Sequence, residues 1–334
     1  MNTRFRFWKF LVVPPGVAGL LLALALLAEE PKTPAPEPAQ SDVSPAEYLR
    51  RHVNFLTSIE PPRNHLHIAS LDRAADYIAD KLRETSETVR FQEYPVEGKT
   101  YKNVIAMYPG TADERIVIGA HYDVAGDGPG ADDNASGVAV MLELAFLIKE
   151  RKPQLPYPVE LVAYSLEEPP YFRTKFMGSA IHAKSLADAQ TPVSVMIALD
   201  CVGYYTDTPG SQNFPLPGMT LLYPDKGNFL GVIGKFGQGS TVSRVKRGLL
   251  RRARIQIETI TAPASLVGVD FSDHMNYWKH DYNAVLLSDT AFYRNHNYHK
   301  PTDRPDTLDY EKMVQVAEGL YGLITNWGGK KKSG

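Results

Sequence analysis

Apolar positions along the chain fall into successive regimes. From Phe10 to Ala28 they form an uncharged run, preceded by Arg4, Arg6 and Lys9 and closed by Glu29 and Glu30. From Glu29 to Pro45 (EEPKTPAPEPAQSDVSP) they thin out among prolines, alanines and acidic residues. Beyond Ser44 they return with the periods of regular structure.

The periodic stretches predict helices. Ser44-Pro45-Ala46-Glu47 offers an N-cap serine, proline at the first helical position and glutamate at the third, opening an amphipathic run to about Thr57. Further helices are expected from about Leu71 to Thr85 and over Ser136–Lys149, Met177–Leu186, Thr241–Arg251, Ser272–Trp278 and Tyr310–Asn326. Strands are expected at Thr88–Tyr94, Asn103–Tyr108, Arg115–Ala120, Val159–Ser165, Val193–Leu199, Ile255–Ile260 and Ala284–Ser288. The segments RIVIGA, VELVAYS and VSVMIAL are almost wholly apolar, so helices must cover both faces of the sheet they form. The expected fold is α/β: a mixed, largely parallel central sheet covered by helices on both faces, preceded by an N-terminal hydrophobic helix.

As a helix the front run would span about 28 Å, close to the hydrocarbon thickness of a bilayer. Basic residues before it and acidic ones after it place the N-terminus inside and everything else outside. Residues 1–28 therefore read as a signal peptide or a signal anchor. Ala23, Ala25 and Ala28 are mediocre cleavage sites, and no cysteine follows to take a lipid. Either reading exports the body: membrane-anchored outside the cytoplasm if uncleaved, secreted or periplasmic if cleaved. Residues 29–45 read as a Pro/Ala-rich stalk, 46–327 as the folded domain, and 328–334 (GGKKKSG) as a basic tail.

Charge and cysteine content narrow the function classes. The 334 residues carry 36 Lys+Arg against 38 Asp+Glu, a formal charge of −2, which lacks the basic excess of a nucleic-acid partner. Cys201 stands alone, so no disulfide framework holds the chain. A catalytic or binding domain remains.

Its chemistry lies where sites on open α/β sheets lie, beyond the carboxyl ends of strands. RIVIGA ends in His121-Tyr122-Asp123, VELVAYS in Glu167-Glu168 after Leu166, and VSVMIAL in Asp200. Between the first two, Gly130-Ala131-Asp132-Asp133-Asn134-Ala135-Ser136-Gly137 leads into a helix, and the last strand is followed by His296-Asn297-Tyr298-His299-Lys300-Pro301-Thr302-Asp303. Imidazoles mixed with carboxylates, without thiolates, suit divalent zinc, cobalt or manganese. A shared carboxylate could bridge two ions that together polarise a carbonyl and generate hydroxide. Taken singly, each residue also has a plainer use. Asp133 could cap the following helix, Glu167 and Glu168 could be a solvated pair, and periodicity does not choose between His296 and His299.

Six motifs in order carry a resemblance: H-Y-D at 121–123, G-A-D-D-N-A-S-G at 130–137, E-E at 167–168, L-D at 199–200, S-D-H at 272–274, and Y-H at 298–299 with D-T-L-D at 306–309. Over about residues 45 to 326 the chain resembles the metal-dependent aminopeptidases of the M28 family, zinc exopeptidases with a co-catalytic metal pair. The resemblance implies two divalent ions, zinc first, and peptide substrates with a free N-terminus. It implies Asp133 as the bridge, His121 and Asp200 completing one ion's shell, Glu168 and His299 the other's, and Glu167 as general base. Asp123 is then an acceptor fixing the His121 tautomer, and Asp132 supports the bridge. Asp273 and His274 either line the substrate pocket or position the helix after Ser272. Tyr293 and Arg294 either contact the substrate or pack. The long Gly203–Pro224 stretch after Asp200 reads as a specificity loop. Pro169–Lys175 expands the turn after the glutamates, and Lys300 stands where many members carry threonine. The same fold hosts glutaminyl cyclases and catalytically dead receptor-like ectodomains on membrane anchors. The former are the alternative reading, and retention of all five ligands and the base speaks against the latter.

Overall fold

The computed structural model describes residues 43–328, so the apolar run 10–28, nearly all of the stalk and the basic tail after Gly328 lie outside the described residues. Among the described residues no helix is long and apolar enough to cross a membrane.

Eight strands form one mixed sheet: β1 Thr88–Val96, β2 Lys99–Tyr108, β3 Arg115–His121, β4 Val159–Tyr164, β5 Val193–Leu199, β6 Phe229–Lys235, β7 Gln256–Ala262 and β8 Ala284–Ser288, in the spatial order β1-β2-β4-β3-β5-β8-β6-β7. The central strands β4, β3, β5 and β8 run parallel, while β1, β2 and β6 bring the antiparallel pairings. The fold expectation is met in the described part of the chain. Carboxyl ends of β3, β4 and β5 therefore share one rim, which is what brings residues 121, 167–168 and 200 together.

Among the described residues seven α-helices cover the sheet: α1 Pro45–Thr57, α2 Ile68–Arg83, α3 Gly137–Arg151, α4 Gly178–Asp188, α5 Gly239–Leu249, α6 His274–Trp278 and α7 Tyr310–Asn326. The α1 start follows its sequence signal, with Ser44 Oγ accepting from Glu47 N at 3.3 Å and Pro45 in the first turn. Leu49, Val53 and Leu56 of α1 are fully buried, each worth about 1.5–3 kcal/mol of transfer free energy. Their core also holds α2, α3, α5 and α7 on one face of the sheet, whereas α4 and α6 build the smaller core on the other with Val117, Val162 and Met196. The parity of the strands decides which side chain enters which core: Ile116 and Ile118 face the first, Val117 the second.

Strand β6 is absent from the sequence expectation. Its segment FLGVIGK carries Gly231 and Gly234, which dilute the β-branched signal, and follows the turn-like PDKGN. β6 pairs antiparallel with β8 and parallel with β7, and it floors the cleft described next.

Candidate metal centre and cleft

The loop carrying Asp133 is fixed before any ligand is considered. Gly130 adopts φ +59°, and a β-carbon there would stand 2.3 Å from Asp133 O and from Val124 Cγ1, so only glycine fits. Asp303 accepts from both Asp132 N at 2.9 Å and Asp133 N at 3.1 Å. Asn134 donates to Leu199 O at 2.8 Å and accepts from Gly137 N and Cys201 N, tying the loop to the end of β5. Arg63, buried on the opposite side, donates to the carbonyls of Leu56, Tyr122, Pro129 and Gly130. Four carbonyls from three separate segments are thus tied together by one guanidinium, and losing it would remove a donor from each.

Asp133 presents its two carboxylate oxygens to different histidines. Oδ1 lies 3.2 Å from His121 Nε2, and Oδ2 lies 3.0 Å from His299 Nε2. Asp200 Oδ1 stands 3.6 Å from the same His121 nitrogen, and Glu168 Oε2 stands 3.3 Å from that of His299. The five residues singled out as ligands therefore divide into two groups sharing Asp133. His299, not His296, enters the cluster; His296 is exposed, and its backbone oxygen accepts from Lys300 Nζ. Tyr298 stacks on the His299 ring at 3.9 Å, holding its plane.

These donors suit a divalent cation. His121 Nε2 and Glu168 Oε1 are buried and make no hydrogen bond among the described residues. His121, Asp133 and Glu168 each offer a ligand atom within 4.8 Å of one another, and Asp133, Asp200 and Cys201 do likewise. A buried polar atom without a partner is costly, so a cluster of them facing one point marks where positive charge belongs. Electrostatics agree. Burial alone would lower the His121 and His299 pKa values, yet the surrounding carboxylates win: His121 is raised well above its usual range and His299 is pushed up to about 10. Burial and the Asp133 charge push Glu168 up to about 7. The Cys201 thiol, raised by burial and four aspartates, stays protonated and donates to Asp200 Oδ1 at 3.3 Å.

Glu167 is buried beside this cluster, and its carboxylate has no hydrogen-bond or ion-pair partner among the described residues. Burial raises its pKa well above the ordinary range; His121 opposes this, and Glu168, Asp200 and Asp273 add to it. Asp123 has a second part beyond the one expected. Its carboxylate accepts from the backbone N–H of Glu167 and of Glu168, both at 3.1 Å, and so positions the glutamate pair. The nearest acceptor to His121 Nδ1 is the Asp123 backbone oxygen at 3.2 Å, with the carboxylate at 3.6 Å.

The remaining candidates separate. Asp132 turns away from the histidines, accepting from Gly203 N at 2.9 Å and Asn295 Nδ2 at 2.8 Å, so it braces the loop rather than any ligand shell. Asp273 and His274 are buried and lie outside the pocket lining. Asp273 sits at the N-cap position of α6 without a side-chain capping bond, and burial pushes its pKa up to about 7. His274 Nε2–H donates to Val269 O at 2.8 Å, and the ring packs edge-on against Trp278. Arg294 does not face the cleft: it is buried, bonded to Gln212 Oε1, Tyr204 O and Phe229 O, and stacked on Phe229. Tyr293 does line the cleft and reaches Val267 O through its hydroxyl.

A mostly apolar cavity opens beside Asp200, walled by Phe229, Ile233, Leu286 and Phe292 and roofed by Phe214, Met219 and Tyr223. The roof residues belong to the Gly203–Pro224 stretch read as a specificity loop. Sequence reasoning missed the supports Arg63, Asp303, Asn134 and Asn295. Asp303 follows the metal-side histidine closely enough to have been noticed, whereas Arg63 carries no local signal.

A parallel-centred α/β sheet with two histidines and four carboxylates gathered at one rim defines the class of metal-dependent hydrolases. The sequence pattern of peptidase family M28 matches residues 103–324, and the chain belongs to that family. It is similar to the uncharacterised protein YfbL of Escherichia coli, 45% identical over 288 residues that cover 84% of this chain and 88% of YfbL. It is 26% identical over 276 residues to leucine aminopeptidase 1 of Metarhizium robertsii, spanning 77% of this chain and 63% of that one. Among solved structures the fold resembles BSAP, a zinc aminopeptidase from Bacillus subtilis, with TM-score 0.67 at 14% identity, covering 84% of this chain and 94% of BSAP.

Proposed function

We propose that this chain is a metal-dependent aminopeptidase, hydrolysing the first amide bond of a peptide with a free N-terminus, and that its domain at 46–327 is exported. Export rests on the apolar run 10–28, acting as anchor or cleaved signal, with residues 29–45 as a stalk. The observation that carries the enzymatic reading is the split of Asp133, one oxygen toward His121 and the other toward His299.

Two divalent ions, zinc first, held by His121, Asp133 and Asp200 and by Asp133, Glu168 and His299, would supply a polarised carbonyl and a water acidic near neutral pH. Glu167 takes one proton from the attacking water and delivers it to the leaving nitrogen, so water and amide become a carboxylic acid and an amine, and transfer of the acid's proton to the amine leaves carboxylate and ammonium. Burial raises the Glu167 pKa, which makes its carboxylate a stronger base toward the water it faces. Asp123 aims it by holding the backbone N–H groups on either side of the Glu167 Cα. The apolar cavity receives the first side chain and excludes water from it.

The test strips divalent metal from the full-length chain, restores it, and assays aminoacyl anilides beside N-terminal glutaminyl peptides. Anilide release that returns with metal supports the aminopeptidase. Pyroglutamate formation alone would make the chain a cyclase, and silence with no bound metal would make it a non-catalytic ectodomain.

A further inference from the structure

The cavity beside Asp200 has a feature that an aliphatic-selective pocket does not need. Strand order places β8, β6 and β7 in succession beyond β5, and Asp200, at the end of β5, donates its N–H to Leu287 O of β8 at 3.2 Å. Register then aligns Ser288 with Gly231 and Gly231 with Glu258. Residues in register point to one side of the sheet, so these form a row across the cavity floor. Three strand spacings separate the two carboxylates, about 14 Å between backbones. A lysine or arginine stem spans roughly half of that distance and the glutamate side chain covers much of the rest.

The middle of the row has no side chain. A β-carbon at Gly231 would stand 3.2 Å from Ser288 O and 3.3 Å from Ile233 Cδ1, filling the trench. Among the described lining residues the only charged groups are Asp200 and Glu258, both acidic. Glu258 Oε1 accepts from Gln256 Nε2 at 2.9 Å, and no lysine, arginine or histidine pairs with Glu258 among the described residues. The rings of Tyr223 and Phe214, 5.6 Å apart, roof the same cavity and offer faces to a cation. The Tyr223 phenol is raised by burial and then by the Glu258 charge, which places the two groups within reach of each other.

We infer that this cavity selects an N-terminal residue with a long cationic side chain, lysine or arginine, whose stem lies over Gly231 and whose charge meets Glu258. The inference deepens the aminopeptidase reading and rests on it. A charge on β7, an edge strand, also discourages pairing with other chains. That role needs only some charge, so Glu258→Lys preserves it while removing the proposed selectivity.

The experiment measures kcat/KM for lysyl, arginyl and norleucyl anilides on the full-length, zinc-restored chain, with Glu258→Gln and Glu258→Lys beside it. It also measures binding of lysinamide and norleucinamide by calorimetry. The wild type is expected to favour lysyl over norleucyl substrate. The ratio falls roughly tenfold in Glu258→Gln, the size of a charge-assisted hydrogen bond, and further in Glu258→Lys. High salt should erode the wild-type preference. Turnover of both substrates with the same ratio in all three proteins would overturn the inference while leaving the aminopeptidase standing. Lysinamide binding that depends on Glu258, without turnover of any anilide, would keep the pocket assignment and overturn the aminopeptidase.

Discussion

Replacing Glu167 with glutamine leaves the metal content intact and lowers kcat by about 10²–10⁴-fold. The two outcomes follow from different parts of the residue. Its backbone N–H is held by Asp123 Oδ1 at 3.1 Å, and its neighbour Glu168 by Asp123 Oδ2 at 3.1 Å, so an isosteric side chain leaves the ligand residue where it was. The carboxylate itself makes no bond to the cluster, and glutamine neither accepts nor returns a proton under these conditions. Metal analysis by mass spectrometry and steady-state kinetics on the same preparation separate the effects. Activity within tenfold of wild type would remove Glu167 from the reaction; lost metal would make it a ligand.

Asp133→Asn acts on the metal instead. Both carboxylate oxygens of Asp133 are committed, one near each histidine. An amide keeps one acceptor and turns its other end into an –NH2 donor that faces a cation unfavourably. Affinity should fall by more than the roughly 10–100-fold that loss of an outer partner costs, and activity with it. Because Asp303 holds the backbone N–H groups of residues 132 and 133, the loop itself should survive, so the far-ultraviolet spectrum stays native. An asparagine variant that binds two equivalents of metal as tightly as wild type would contradict the bridging assignment.

What was legible in the sequence and what was not have separate physical origins. Strands β3, β4 and β5 announce themselves because burial on both faces demands continuous apolar runs. Each is followed at once by the residue type that a metal centre requires, so the ligands are read with the strands. Strand β6 hid behind Gly231, which lines the cavity, and Gly234, where a β-carbon would stand 2.6 Å from Val242 Cγ2 of α5. For Arg294 the sequence leaves substrate contact and packing both open; the structure decides for packing, its guanidinium being spent on Gln212, Tyr204 and Phe229. Asp123 lies two residues beyond His121, which made the imidazole its obvious partner. The chain reversal after β4 brings the amides of Glu167 and Glu168 nearer to its carboxylate. Arg63, 67 residues from Gly130 in sequence, has no local pattern at all, since long-range hydrogen bonds to carbonyls leave no periodic trace.

The central claim is that one carboxylate, Asp133, is shared between two cation-binding groups. Diffraction from metal-loaded crystals at the zinc absorption edge addresses it directly. The account predicts two anomalous peaks, about 3.5–4 Å apart, one against His121 and Asp200, the other against Glu168 and His299, with Asp133 between them. A single peak, or peaks that do not contact Asp133, would contradict it.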